Sequence, residues 1–240
     1  MFYFKFGDLK KVVVFLHGWG SDSSSFLWTR DYFDYCSTVF VDFPGFGKSD
    51  EPAHTWSVLD YVNSLKEVLD GIEIDELILV GHSFGGRIAI KFGACYQNLY
   101  KKFRICLIDS AGILPHRSIL YKIKVARYKK LKQRKEQGFD VQSKIDSCGS
   151  DDYKKLSPVM KQTFVKVVNE DLSSDAKRLN CDCLIIWGKR DKETKLYMAR
   201  KLNAIIKKSK LVILEKAGHF SFLDRKEEFL ILLDTFIKNL

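Results

Sequence analysis

The sequence predicts an α/β fold: a doubly wound, mostly parallel sheet with an inserted helical cap. Three observations lead there. Short apolar runs alternate with longer amphipathic ones along most of the 240 residues, the pattern of strands flanked by helices on both faces. One run breaks off at a serine among glycines, "LVGHSFGG" at 79–86. The alternation lapses over 112–176 and then resumes.

In order, "FYFKF" (2–6) reads as an edge strand. "VVVFLHG" (12–18), "TVFVDF" (38–43), "LILVG" (77–81), "FRICLID" (103–109), "CLIIWG" (183–188) and "KLVILE" (210–215) read as buried strands, continuous in apolar residues because both faces are covered. Helical spacing runs from Ser57 to Leu69, Phe84 to about Tyr96, Thr194 to Ile206, and Asp224 to Ile237, with Asp224 as the N-cap of the last. The divergent stretch carries two helical patterns. "SILYKIKVARYKKLKQRKEQGF" is a basic amphipathic helix ending near Gly138, and "SPVMKQTFVKVVNEDL" a second with Pro158 near its start. The domain assignment is therefore a core of 1–111 and 177–240 with a cap of 112–176 inserted into it. The cap's apolar faces are expected to bury over the site mouth: Ile119, Ile123 and Ala126 on one helix, Val159, Phe164, Val167 and Val168 on the other.

Composition narrows the function classes. Hydrophobic residues make up 46%, enough to exclude a disordered chain. Cysteines at 36, 95, 106, 148, 181 and 183 follow no secretory pattern in "MFYFKFGDLKK", so reduced thiols and a cytoplasmic location are expected. Cys181-Asp182-Cys183 has no second pair at a zinc spacing and fits alternation entering a strand, so no metal site is expected. No uncharged apolar run approaches the ~20 residues of a membrane helix. The net charge is +10, and the stretch from Ile113 to Arg178 holds 16 Lys and Arg against 8 Asp and Glu. That stretch has no nucleic-acid motif and few aromatics. The expected partners are a small-molecule ester and no nucleic acid, with no stable membrane insertion and at most weak contact with an anionic surface.

The chemistry starts at Ser83. G-x-S-x-G between a strand and a helix holds the serine on a sharp turn and presents its hydroxyl above the sheet. Such a serine needs a base, and the base an orienting acid. Among His17, His54, His82, His116 and His219, only His219 leaves room for an acid after Ser83 outside the cap. It lies in "LEKAGHF", after the last strand, at the sheet edge where ligands bind. Two acids follow strands: Asp191 in "LIIWGKRD", the favoured one, and Asp109 in "CLID", its rival. Asp75 and Asp224 fail on order. "FLHGWGSD" (15–22) places the Trp19 N–H as one oxyanion donor, with the Phe84 N–H as the other. His17 braces that loop and takes no proton.

Together "LHGWG" (16–20), "VDFPGFGKSD" (41–50), "LVGHSFGG" (79–86), "LIIWGKRD" (184–191) and "KAGHF" (216–220) resemble the α/β-hydrolase superfamily, specifically its compact capped serine esterases. The resemblance implies an eight-stranded α/β-hydrolase fold, a Ser83–Asp191–His219 triad and no cofactor. His17 comes so early that the N-terminal strand or hairpin is expected to be shortened. Ser83 at the elbow departs from the Asp of haloalkane dehalogenases and epoxide hydrolases. His82 departs from the Asn frequent before the serine of carbon–carbon bond hydrolases.

The leading reading is ester hydrolysis through an acyl-enzyme on Ser83, with activity rising through roughly pH 6–7 as the base loses its proton. The alternatives are C–C bond hydrolysis of a dienoic or diketone substrate, and a ligand receptor of the same fold with negligible turnover.

Overall fold

The computed structural model describes residues 1–116, 119–141 and 151–238, with the backbone alone for 119–122 and 151–152. Seven strands form one sheet: β1 (Phe2–Phe6), β2 (Lys11–Leu16), β3 (Ser37–Asp42), β4 (Glu76–His82), β5 (Lys102–Ile108), β6 (Asp182–Gly188) and β7 (Ser209–Leu214). Their spatial order is β1-β3-β2-β4-β5-β6-β7. β1 is the one antiparallel strand, pairing Phe2 with Asp42 through Phe6 with Thr38. The predicted α/β class and mostly parallel sheet hold. The count among the described residues is seven strands rather than the eight the resemblance implied, with a single edge strand at the N-terminal side.

The strand sequences explain the layering. In β2, Val12, Val14 and Leu16 enter one apolar cluster, while Val13 and Phe15 enter another on the opposite face, as the two-residue period of a strand requires. The first cluster packs α2 (Val58–Asp70), α3 (Phe84–Tyr96) and α8 (Leu196–Ile205) against the sheet. The second packs α1 (Ser24–Leu27) and α10 (Lys226–Lys238). β7 lies at the far edge with most of its side chains half-buried, so "KLVILE" is an edge strand, not the fully buried one its composition suggested. Helix α2 starts where Ser57 predicts. Ser57 Oγ accepts from Asp60 N, and Asp60 Oδ2 accepts from Ser57 N at 2.6 Å, a capping box that satisfies two free N–H groups.

Between β5 and β6 the chain runs through α4 (Ile119–Glu136), α5 (Asp151–Lys155), α6 (Pro158–Asn169) and α7 (Ser173–Arg178). The Leu172 N–H donates to the Gly112 carbonyl at 2.9 Å, so the excursion leaves and returns at one neck. Helix α6 packs downward. Ser157 caps it, Pro158 opens it, and Met160, Thr163 and Val167 are buried. Its Phe164 ring lies 5.1 Å from Trp19, in line with the predicted inward face. Helix α4 departs from the expectation. Ile123 and Ala126 are exposed, and the half-buried stripe is Val125, Tyr128 and Leu131. Helical spacing permits either stripe to face inward, and the half-buried one is the stripe whose Tyr128 hydrogen-bonds Tyr153. The Ile119 side chain and Cys148 lie outside the described residues.

Candidate active site

The six strands other than β1 all end at one edge, and each brings a polar residue there: Asp42 as the last residue of β3, His17, Ser83 and Asp109 directly after β2, β4 and β5, and Asp191 and His219 in the loops that follow β6 and β7. Ser83 sits between β4 and α3 with φ 49° and ψ −107°, a strained conformation that costs about 1–3 kcal/mol and must be held from outside. Ser83 N donates to Ile108 O at 3.0 Å, and Ser83 O accepts from Gly86 N at 3.1 Å and Ala111 N at 3.0 Å. The flanking glycines serve sterics. A Cβ on Gly81 would lie 2.6 Å from Gly85 O, one on Gly85 2.1 Å from Leu16 O, and one on Gly86 1.9 Å from Ser110 Oγ.

His219 Nε2 stands 3.1 Å from Ser83 Oγ, and His219 Nδ1 stands 2.9 Å from Asp191 Oδ2. With the Nδ1 proton given to the carboxylate, the lone pair of Nε2 faces the hydroxyl. Asp191 is anchored in turn. Its Oδ1 accepts from Glu193 N at 2.8 Å and Thr194 N at 3.0 Å, and its Oδ2 accepts from Thr194 Oγ1 at 2.6 Å. Burial by itself would raise the Asp191 pKa, but the hydrogen bonds from His219 and Thr194 outweigh it and hold the carboxyl below its ordinary value. The same balance applies to His219. Burial lowers its pKa, yet the bond and charge of Asp191 leave it raised.

Asp109, the rival acid, is placed differently. Its Oδ1 accepts from Gly188 N at 2.7 Å and its Oδ2 from Ser221 N at 3.0 Å. Both oxygens are committed to backbone N–H groups, one at the end of β6 and one just past His219. The structure thus brings Asp191, not Asp109, to the imidazole. On the other side of Ser83, a Cβ built on Gly18 would lie 3.5 Å from Ser83 Cβ, so the peptide leading to Trp19 passes beside the serine. Trp19 packs edge-on to Phe84 at 5.2 Å. His17 is fully buried, with Nδ1 donating to Gly18 O at 2.7 Å and Nε2 accepting from Phe43 N at 2.9 Å, the bracing role expected of it. Asp224 caps no long helix: α10 begins at Lys226, and Asp224 closes the short α9 (Ser221–Asp224). Its Oδ2 accepts from Gly218 N at 2.7 Å, tying down the His219 loop.

The structural roles of three residues of the site escaped sequence reasoning. Thr194 read as the start of a helix, but the helix begins at Leu196 and Thr194 is spent on Asp191. Asp followed three residues later by Thr is a turn signal that could have shown this. Asp109 is a brace rather than an acid beside the base. His82 donates from Nε2 to the His219 carbonyl at 2.7 Å, linking the residue before Ser83 to the backbone of His219. Nothing local to the motif signals that contact.

The buried groups set a pH dependence of stability. Burial pushes His17 down to about 4 and His82 down to about 3, so both stay neutral in the fold while the unfolded chain protonates them below ~6.5. Their contribution is complete above the unfolded value and is lost as pH falls. Burial pushes Asp109 up to about 7, which has the opposite sign. Its contribution is complete below the unfolded carboxyl value and is lost as pH rises through the folded one. Between pH 5 and 6 two histidines oppose one aspartate. Unfolding then takes up about one net proton, and stability should fall by about 1.4 kcal/mol per unit of acidification. Urea titrations at pH 5 and 6 read the slope. His17→Gln should bring it close to zero, and an unchanged slope in that variant would refute the assignment.

The fold has counterparts among known proteins. Residues 13–230 match the Alpha/beta hydrolase family. AB hydrolase superfamily protein YisY of Bacillus subtilis is 26% identical over 258 residues, covering 93% of this chain and 90% of YisY. A 2-hydroxy-6-oxononadienedioate/2-hydroxy-6-oxononatrienedioate hydrolase of Pseudomonas putida is 24% identical, covering 93% of this chain and 86% of that protein. Among solved structures, an esterase from Exiguobacterium antarcticum superposes with a TM-score of 0.76 at 23% identity, covering 99% of this chain and 95% of that one. No helix among the described residues is long and apolar enough to cross a membrane. With a match spanning nearly its whole length, this chain belongs to the alpha/beta hydrolase family.

Proposed function

We propose that the protein is a serine hydrolase cleaving carboxylic esters through an acyl-enzyme on Ser83. The observation that carries this reading is the continuous relay from Ser83 Oγ to His219 Nε2 at 3.1 Å and from His219 Nδ1 to Asp191 Oδ2 at 2.9 Å. His219 takes the Ser83 proton as Oγ bonds to the ester carbonyl carbon. The resulting oxyanion is met by the N–H groups of Trp19 and Phe84. His219 then protonates the departing alkoxide as its C–O bond breaks. A water, deprotonated by the same nitrogen, attacks the acyl-enzyme and releases the acid. Asp191 keeps the proton on Nδ1 and stabilises the imidazolium. The helical excursion, as a cap with Phe164 against Trp19, would shape the pocket for the acyl or alcohol group.

The experiment is a pH–rate profile on p-nitrophenyl esters. Only neutral His219 accepts the proton, so kcat/KM should rise as pH passes its pKa. Asp191 raises that pKa against burial, so the midpoint should lie above the ordinary imidazole value of ~6.5. Asp191→Asn should move the midpoint down and cut kcat by about 10³–10⁴-fold. A rate unchanged between pH 5 and 8 would rule out His219 as base. A second reading, hydrolysis of a C–C bond in a dienoic substrate by the same serine, is favoured by the likeness to the Pseudomonas putida hydrolase. A 2-hydroxy-6-oxo-dienoate turned over faster than every ester would select it. Turnover of neither substrate class would leave the ligand-receptor alternative.

A further inference from the structure

Helix α4 carries eight Lys and Arg against one Glu in 18 residues, most of the protein's net charge of +10. Among the described residues, none of its seven cations from Lys124 to Lys135 has a carboxylate partner. Pairs at i,i+4 spacing stabilise solvated helices; this one makes none with a carboxylate among the described residues, and Lys132 and Arg134 lie over the Tyr128 and Phe139 rings instead. The outward face is not purely polar. Ile123, Arg127, Lys130 and Arg134 follow one another at helical spacing, all exposed, with Ala126 beside them. Ile123 retains 47% of its surface in water although the inward stripe offers burial to Val125, Tyr128 and Leu131.

The helix is also connected to the site. Tyr128 hydrogen-bonds Tyr153. Tyr153 packs on Phe164 at 5.8 Å, Phe164 on Trp19 at 5.1 Å, and Trp19 on Phe84 at 5.2 Å. The chain of contacts runs from α4 to the residue after Ser83.

We infer that the outer face of α4 docks the protein on an anionic lipid bilayer. Arg127, Lys129, Lys130 and Arg134 would lie against the headgroups, and Ile123 would enter the interface. A bilayer suits this face better than a nucleic acid. Ile123 and Ala126 have no complement in a phosphate groove, and among the described side chains no aromatic ring is free there for base stacking, since Tyr128 faces inward and Phe139 lies under Arg134 at 5.1 Å. Docking does not depend on the chemistry. Its consequence, delivery of a lipid-dissolved ester toward Ser83, rests on the proposed ester hydrolysis.

The test is flotation of the full chain with phosphatidylcholine vesicles, with and without phosphatidylglycerol, at low and high salt. Binding should require phosphatidylglycerol and fade as salt rises. Replacing Arg127, Lys129, Lys130 and Arg134 together by Gln should weaken partitioning on the order of 10²-fold or more. Ile123→Ser should weaken it severalfold. Neither variant should alter hydrolysis of a water-soluble short ester, which also reports that both are folded. An ester dissolved in anionic vesicles should be hydrolysed faster than in neutral ones by the parent alone. No flotation at low salt, equal flotation of the four-fold variant, or tighter binding to RNA than to vesicles at matched phosphate would each overturn the docking. Equal rates in both vesicle types would overturn the delivery. Absence of hydrolysis of the soluble ester would count against the proposed function alone.

Discussion

Ser83→Ala is expected to lower kcat for ester hydrolysis on the order of 10⁵–10⁶-fold. Ser83 Oγ faces His219 Nε2 at 3.1 Å, so on the proposed mechanism its removal deletes the nucleophile aligned with the base. The backbone has little reason to move. The turn is held by Ile108 O, Gly86 N and Ala111 N, all main-chain groups, and alanine at φ 49° is strained about as serine is. The variant should fold, bind ester and leave only what the oxyanion donors and binding provide, about 10³–10⁴-fold over water. His219→Ala should cost about as much, and the double variant little more, because nucleophile and base act as one unit. Initial rates of p-nitrophenyl ester cleavage by purified protein decide it. Activity within tenfold of the parent in Ser83→Ala would remove the serine from the mechanism.

Gly85→Ala is expected to cost more than about 4 kcal/mol of stability, out of the 5–15 kcal/mol typical of a domain. The added Cβ would lie 2.1 Å from Leu16 O and 2.6 Å from the Leu16 carbonyl carbon. Both are backbone atoms of a strand paired on both sides, with β3 and with β4. No rotamer change relieves the overlap. Either α3 lifts off β2 or the sheet distorts, and both displace the Ser83 turn relative to the His17-Gly18 loop. Gly20 gives the contrast. Its φ of +77° strains any side chain, but a Cβ there meets nothing within 4 Å, so Gly20→Ala should cost only about 1–2 kcal/mol. Urea unfolding of the two variants separates steric from conformational need. A near-parental midpoint for Gly85→Ala would show that the elbow adapts.

Much of this was legible in the sequence because it is local. Apolar runs and helical spacing mark the strands and α3 to within a residue or two, since side-chain period follows directly from backbone geometry. Ser83 and His219 were legible for a related reason. A parallel sheet brings every strand end to one edge, so chain order and strand-end position narrow the candidates before any contact is known.

What the tertiary structure alone decided are the contacts between residues far apart in the chain. Asp109 and Asp191 both follow strands and both suit the role of acid. Only the positions of Gly188 N and Ser221 N, which occupy both oxygens of Asp109, leave Asp191 to meet His219. The bond from His82 to the His219 carbonyl spans 137 residues and has no signature in "GHSFGG". Helical spacing places Ile123 and Ala126 on one face and Val125, Tyr128 and Leu131 on another, and it cannot say which turns inward. That was decided by what α4 packs against, through Tyr128 and Tyr153. Periodicity records which side chains share a face; burial depends on a second surface, which exists only once the chain has folded.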